Sequence, residues 1–176
     1  MTAESILKRA YINKKSKTEN QETEKTGIIK QYKGARCKVC LIKENDQLPP
    51  IKINNANKVY ELVKDEIASS DREIMLSIML DTSLHLIGIE TVAIGSINVC
   101  GSKVSEIFKS AILANATCII LCHNHPSGSI EPSAEDIAFT KHIILCGRMM
   151  GIKVHDHLVV SSRGYCSMNE QGLIRI

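Results

Sequence analysis

The segment from His123 to Asp136 carries the residue types that metal-dependent chemistry needs: two imidazoles, several carboxylates and several hydroxyls. Because alternate residues of a strand share a face, His123 and His125 are expected to project the same way where a strand ends. Asp136 occupies the third position of a helix that Ser133 opens, so its carboxylate can approach both imidazoles. Two imidazole nitrogens and one carboxylate oxygen, with a fourth position left for water, are the ligand set of a catalytic zinc ion.

The sequence around this segment predicts the elements that must position it. An unbroken apolar run at 117–122 precedes His123 and suits a strand that is buried on both faces. Pro126, Gly128 and Pro132 then favour a tight loop before the helix. A strand, a short polar loop and a helix start would therefore bring the two imidazoles and the carboxylate together.

Each part of this motif also has a simpler explanation. Ser133 and Asp136 fit a capping box, in which two side chains satisfy backbone donors at a helix start. A His-x-His pair alone is a weak signal. Their conjunction in one loop, directly after a buried strand, is much rarer and favours a metal site over a helix cap alone. Other zinc motifs are absent from the sequence, including His-Glu-x-x-His and the downstream Pro-Cys-x-x-Cys of nucleoside deaminases.

The rest of the chain predicts an α/β fold with three layers, α/β/α, around a mixed central sheet. Asn55 and Ser105 are the expected caps of the first two helices. The second helix is expected to turn Ile107, Phe108, Ala111 and Ile112 inward. The predicted helices are 56–68, 105–115 and 133–148, and the predicted strands are 73–80, 84–94, 117–122, 152–154, 157–160 and 165–167.

Composition points to a protein of the cell interior. Aromatic residues make up only 3% of the chain, so the core must be aliphatic. The apolar stretches are far shorter than the roughly 18 residues that a membrane span requires, and the first residues lack a signal-peptide pattern. Seven cysteines without disulfide-scaffold spacing fit a reducing compartment. We therefore expect a soluble, cytoplasmic protein without a membrane partner.

Positive charge is concentrated at the start of the chain. Residues 8–43 contain eleven Lys or Arg against three Glu, a balance of +8, whereas the whole chain carries +3, so the remainder carries −5. We predict a lysine-rich, partly disordered leader over residues 1–48, able to bind nucleic acid or an acidic partner, and a metal-binding domain over residues 49–176. Cys37 and Cys40 form a lone CxxC pair, which leaves a structural zinc or redox role as a minor alternative.

The central motif resembles a known signature. His123-x-His125-Pro126, six residues, and then Ser133-x-x-Asp136 is similar to the JAMM motif of the JAB/MPN metalloprotease superfamily. The run His-Asn-His-Pro-Ser-Gly is similar to that of its RadC-like branch, and the resemblance extends from near Asn55 almost to the end of the chain. It implies a JAB/MPN-like fold with the layering of cytidine deaminases. The other similar stretches are Asp71-Arg72-Glu73, Glu106 to Lys109, Asn115 and Asp156-His157-Leu158.

The resemblance also implies roles for individual residues. In that family the two histidines and the aspartate hold zinc, which corresponds here to His123, His125 and Asp136. The matching serine, Ser133, helps to bind a developing oxyanion, and the matching glutamate, Glu73, is the general base. The implied reaction is hydrolysis of a peptide or isopeptide bond by a metal-activated water.

Some of these assignments leave alternatives open. Glu90 and Glu106 are rivals of Glu73 as the base, because sequence spacing does not exclude them. His155 and His157 repeat the His-x-His pattern, but no serine and carboxylate follow at helix-opening spacing. We therefore predict a surface role or a supporting role for them rather than metal ligation.

A second class of function is a DNA-repair-associated or mobile-element accessory protein that binds a partner or nucleic acid. Many RadC-like proteins have a helix-hairpin-helix segment ahead of the metal domain, and this sequence has none. A lysine-rich leader is a poor substitute for that segment. The two classes differ in their requirements, since a nucleic-acid binder depends on salt and needs no zinc.

Overall fold

A computed structural model describes residues 50–95 and 103–176. In these ranges the chain forms one five-stranded sheet with the strand order β2-β1-β3-β4-β5. The β3/β4 pair is parallel and the other three pairs are antiparallel, so the sheet is mixed. The strands are β1 (Ile74–Leu80), β2 (Leu86–Ile94), β3 (Cys118–Asn124), β4 (Lys153–Ser161) and β5 (Gly164–Ser167).

Three helices in the described ranges cover the two faces of this sheet. They are α1 (Ala56–Ile67), α2 (Val104–Leu113) and α3 (Ala134–Met150). The buried side chains of α1 pack with one set of alternating strand residues, and those of α2 and α3 pack with the other set. This sorting follows from the alternation of side chains along buried strands. The predicted α/β fold with a mixed central sheet is confirmed.

The leader predictions, including those for Cys37 and Cys40, lie outside the described residues. The boundary near residue 48 therefore stays a prediction. Within residues 50–95 and 103–176, no helix combines the length and apolar character that crossing a membrane would require.

The predicted bounds of α2 are wrong at both ends. The helix begins at Val104, and Lys103, not Ser105, occupies the cap position, where no side chain caps the backbone. It ends at Leu113, two residues before the predicted end. Asn115 has a φ of 52°, a left-handed conformation that stops a helix.

The predicted inward face of α2 is correct for three residues and wrong for the fourth. Ile107, Phe108 and Ala111 are buried as predicted, but Ile112 is 54% exposed. Ile112 follows Ala111 by one residue, which rotates it about 100° around the helix and away from the sheet. Ser110 is buried on the other flank of this face.

β4 is one continuous strand where the sequence predicted two short ones. Consecutive β3 residues pair with Val154 and then with Asp156, so His155 is the extra residue of a β-bulge. Val154 packs on the side of α2 and α3, and regular alternation would place Asp156 on that side as well. The bulge reverses the alternation, with the result that His157 lies on the same side as His123.

We expect Gly147→Ala to lower the free energy of unfolding by about 2 to 3 kcal/mol, measured by chemical denaturation. A Cβ at Gly147 would lie 2.5 Å from the Ile152 carbonyl oxygen and 3.2 Å from a Val154 methyl group. This clash outweighs the gain of about 1 kcal/mol that alanine brings to a helix. Gly151→Ala is the control, because a Cβ there meets no atom within 4 Å and carries only the cost of its φ of 72°, about 1 to 2 kcal/mol. A Gly147→Ala variant as stable as wild type would contradict the clash.

Candidate metal centre

Four side chains from three parts of the fold converge on one point. The ligand atoms of Glu73, His123, His125 and Asp136 all lie within 4.8 Å of one another. Met75 pairs with His123 across the antiparallel β1/β3 ladder, which brings the residue before β1 alongside the residue after β3. The first turn of α3 supplies the aspartate.

The three predicted ligands lie about as far apart as the ligands of a tetrahedral metal ion, with the two Asp136 distances measured to different carboxylate oxygens. His123 Nε2 lies 3.1 Å from His125 Nε2 and 3.5 Å from Asp136 Oδ1, and His125 Nε2 lies 3.3 Å from Asp136 Oδ2. Ligands at zinc distances of 2.0 to 2.2 Å are separated by about 3.3 to 3.6 Å along the edges of a tetrahedron. His123 and Asp136 are buried and His125 is partly exposed, so the point they face is open on one side. These residues could hold a metal ion.

The capping box of Ser133 and Asp136 is present in the structure, and Asp136 belongs to the converging group as well. Ser133 Oγ accepts from the Asp136 backbone N–H at 3.1 Å, and Asp136 Oδ2 accepts from the Ser133 N–H at 2.8 Å, which completes a capping box. The Ser133 hydroxyl also donates to Asp136 Oδ2 at 2.7 Å. Burial alone would raise the pKa of Asp136, but the nearby His123 imidazole and the hydrogen bonds from Ser133 lower this pKa well below its ordinary value. The cap thus holds the carboxylate ionised beside the imidazoles.

The three candidate glutamates lie in different surroundings. Glu73 is half-buried and belongs to the converging group. Glu106 is exposed on α2 and forms an ion pair with Lys109 at 2.8 Å, which lowers the pKa of Glu106. Glu90 lies on β2, where one carboxylate oxygen is 3.7 Å from Lys109. Within the described residues, only Glu73 of these three is part of the four-residue group.

His157 contacts the candidate ligand His123 directly, a contact that the sequence did not predict. It is fully buried, and its Nε2 lies 2.8 Å from Nδ1 of His123, on the side of that ring away from Asp136. Thr140 of α3 contacts the other nitrogen of His157 at 2.6 Å. Burial, followed by the nearby His123, lowers the pKa of His157 well below its ordinary value, so this ring is neutral at pH 7.

Cys122 faces the opposite core, as predicted.

Asn124, between the two candidate ligand histidines, was missed by the sequence reasoning. Its side-chain oxygen accepts from the Ile74 N–H at 2.8 Å, and its amide nitrogen donates to the carbonyls of Arg72 at 3.0 Å and Ser70 at 3.4 Å. The peptide groups on both sides of Glu73 are therefore held by one buried amide. Asparagine at this position is the only signal in the sequence, and its partners lie about fifty residues away.

We expect Asn124→Asp to lower the free energy of unfolding by about 3 kcal/mol at pH 7, because a buried carboxylate oxygen would replace the amide donor opposite two carbonyls. The loss should shrink at acidic pH, where the carboxyl is protonated and can donate again. The control is Asn55→Asp, since the exposed cap of α1 accepts either side chain. Equal stability of the two variants in urea would contradict this role of Asn124.

Comparison with known proteins places these residues in a family context. The family model described as "RadC-like JAB domain" matches residues 53–173. A UPF0758 protein of Clostridium botulinum is 41% identical over 124 residues, which cover 70% of this chain and 54% of that protein. UPF0758 proteins of Methanococcoides burtonii and Chloroflexus aurantiacus are 39% and 40% identical, over 72% and 69% of this chain and 55% and 53% of their own lengths. The chain spans about half the length of these curated relatives.

Proposed function

The chain belongs to the RadC-like JAB domain family, and from that premise we propose that it is a zinc-dependent hydrolase of peptide or isopeptide bonds. The family resemblance predicted from the sequence is confirmed. The JAB/MPN superfamily includes hydrolases, but membership alone does not fix a reaction. The observation that carries the proposal is the convergence of Glu73 with two imidazoles and a carboxylate within 4.8 Å.

Zinc fits this donor set better than the other common divalent ions. Two imidazoles and one carboxylate suit zinc, whereas magnesium and calcium favour sites made only of oxygen. A bound zinc ion would lower the pKa of a water from 15.7 to roughly 7 and polarise a substrate carbonyl. His123, His125 and Asp136 would hold it, and the partly exposed side of the site would leave room for water and substrate.

Glu73 is the residue suited to move protons. Its carboxylate lies beside the ligand atoms but is only half-buried, so it can reach a water at the mouth of the site. As general base it takes one proton of the attacking water and then gives that proton to the amine nitrogen as the carbon–nitrogen bond breaks. The glutamate ends ionised, and one water molecule is consumed for each bond cleaved.

Ser133 could act as a donor to the oxyanion or only as the helix cap that orients Asp136. If the hydroxyl donates to the oxyanion, we expect Ser133→Ala to lower kcat about 10²-fold. The same substitution should cost about 1 kcal/mol of stability through the lost helix cap. Because the hydroxyl donates to Asp136 Oδ2 in the structure, serving an oxyanion requires it to turn away from that carboxylate. Steady-state kinetics beside zinc titration separates the roles. A loss of zinc affinity at unchanged kcat would mean that Ser133 only orients Asp136.

The proposed hydrolase is tested by loading the protein with zinc and assaying a library of quenched-fluorescence peptides with α-linked and lysine ε-linked bonds. Cleavage that disappears on chelation and returns with added zinc supports the proposal. Zinc binding without cleavage of any library member would oppose it. The accessory-protein alternative depends on the basic leader, and it predicts DNA binding that weakens steeply with salt and survives chelation.

A further inference from the structure

The two candidate metal ligands of highest burial, His123 and Asp136, are joined by a chain of three hydrogen bonds behind the candidate metal site. His123 Nδ1 contacts His157 Nε2 at 2.8 Å, and His157 Nδ1 contacts the Thr140 hydroxyl at 2.6 Å. The Thr140 hydroxyl contacts the backbone carbonyl of Asp136 at 2.6 Å. On the other side of the two residues, the Asp136 carboxylate faces His123 Nε2 at 3.5 Å across the candidate metal position.

The direction of every hydrogen bond in this chain follows from its carbonyl end. A backbone carbonyl can only accept, so the single proton of the Thr140 hydroxyl must point to the Asp136 oxygen. The hydroxyl then has only lone pairs for its other close neighbour, His157 Nδ1, which must therefore carry a hydrogen. Met168 Sδ, at 3.5 Å from the hydroxyl, is a weaker acceptor and too distant to compete for this proton.

The tautomer of His157 determines the tautomer of His123 in turn. A neutral imidazole that donates through Nδ1 has a bare Nε2, so His157 Nε2 must accept from Nδ1–H of His123. A neutral His123 that donates through Nδ1 in turn has a bare Nε2. Nε2 is the atom of His123 that lies 3.1 Å from His125 Nε2 and faces Asp136, and a metal ligand must present a lone pair there.

We infer that His157 and Thr140 are positioning residues that fix His123 in the tautomer able to bind the metal through Nε2. Metal-bound histidines usually donate their second N–H to a carboxylate or a carbonyl. Here a second, buried histidine accepts that N–H. The N–H of this second histidine is in turn oriented, through a hydroxyl, by the backbone carbonyl of another candidate ligand residue. The inference rests on the metal centre of the proposed function, but it concerns the protein's own hydrogen atoms.

Two measurements test this inference, and the first needs no metal. Two-bond proton–nitrogen NMR correlations of the zinc-free protein report the tautomer of each imidazole, with His123 assigned by the signals lost in His123→Gln. We expect Nδ1–H at His123 and Nδ1–H at His157 in the wild type. An Nε2–H tautomer at either residue would overturn the inference, whatever the protein's activity.

The second measurement is zinc affinity by competition with a chelator. Thr140→Val and His157→Leu should each weaken zinc binding about 10- to 100-fold, the usual cost of losing a partner behind a ligand. Thr140→Ser keeps the hydroxyl and His157→Gln can offer an oxygen to His123 Nδ1–H, so both should bind within a few-fold of wild type. If Thr140→Ser loses as much affinity as Thr140→Val, the hydroxyl is not responsible and the inference fails.

These measurements distinguish the failure of the inference from the failure of the proposed function. A wild type that has the expected tautomers and binds zinc, but cleaves no peptide, would refute the hydrolase and leave the inference standing. Thermal unfolding of the zinc-free variants identifies any loss of affinity that comes from a damaged fold. The tautomer measurement decides the inference even if a variant is too unstable to use.

Discussion

Glu73→Gln is expected to lower kcat by about 10²- to 10⁴-fold, the usual contribution of general-base catalysis, while zinc content stays at the wild-type level. Glutamine is nearly the same size as glutamate, so the peptide groups on either side, which Asn124 holds, should not move. What is lost is the capacity to accept a proton. Zinc content by elemental analysis and turnover by steady-state kinetics on the same preparation provide the measurement.

The matched control for this prediction is Glu106→Gln, the same chemical change at an exposed glutamate whose partner is Lys109. It should leave kcat unchanged. A large loss of turnover in Glu106→Gln with little loss in Glu73→Gln would mean that Glu106, and not Glu73, is the general base. Loss of zinc from Glu73→Gln would make Glu73 a ligand rather than a base.

The approach of the two histidines and the aspartate to one another could be predicted because it is encoded over short distances. The strand that ends at Asn124 and the helix that starts after Ser133 lie within one segment, so alternation and helix capping determine how His123, His125 and Asp136 approach one another. Glu73 required the family resemblance, because its place beside His125 depends on the pairing of β1 with a strand about fifty residues away.

The contact between His123 and His157, which the sequence could not predict, depends on a single irregularity in the sheet. The bulge at His155 decides that His157, and not Asp156, lies beside His123, and a bulge has no reliable sequence signal. Unless that register is known, the contact between His157 and Thr140 cannot be predicted, since the two residues lie in different elements. The wrong start of α2 has a different origin, because a serine near a helix start is a common cap but not an obligatory one.

Asp136→Asn is expected to weaken zinc binding by more than about 100-fold, since losing a ligand should exceed the 10- to 100-fold cost of losing a partner behind one. Zinc at about 1,000 times its Kd should stabilise the wild type by about 4.1 kcal/mol, but a 100-fold weaker variant by only about 1.4 kcal/mol at the same zinc concentration. Thermal unfolding of both proteins, with and without zinc, measures this difference.

The zinc-free forms provide the control that separates a ligand from a helix cap. The asparagine oxygen can accept from the Ser133 N–H and hydroxyl as Oδ2 does now, and its amide can donate to the bare Nε2 of His123 in place of Oδ1. The zinc-free variant should therefore be about as stable as zinc-free wild type. Equal stabilisation of both proteins by zinc would contradict ligation by Asp136, whereas a large loss of stability confined to the zinc-free variant would mean that the carboxylate serves α3 rather than a metal.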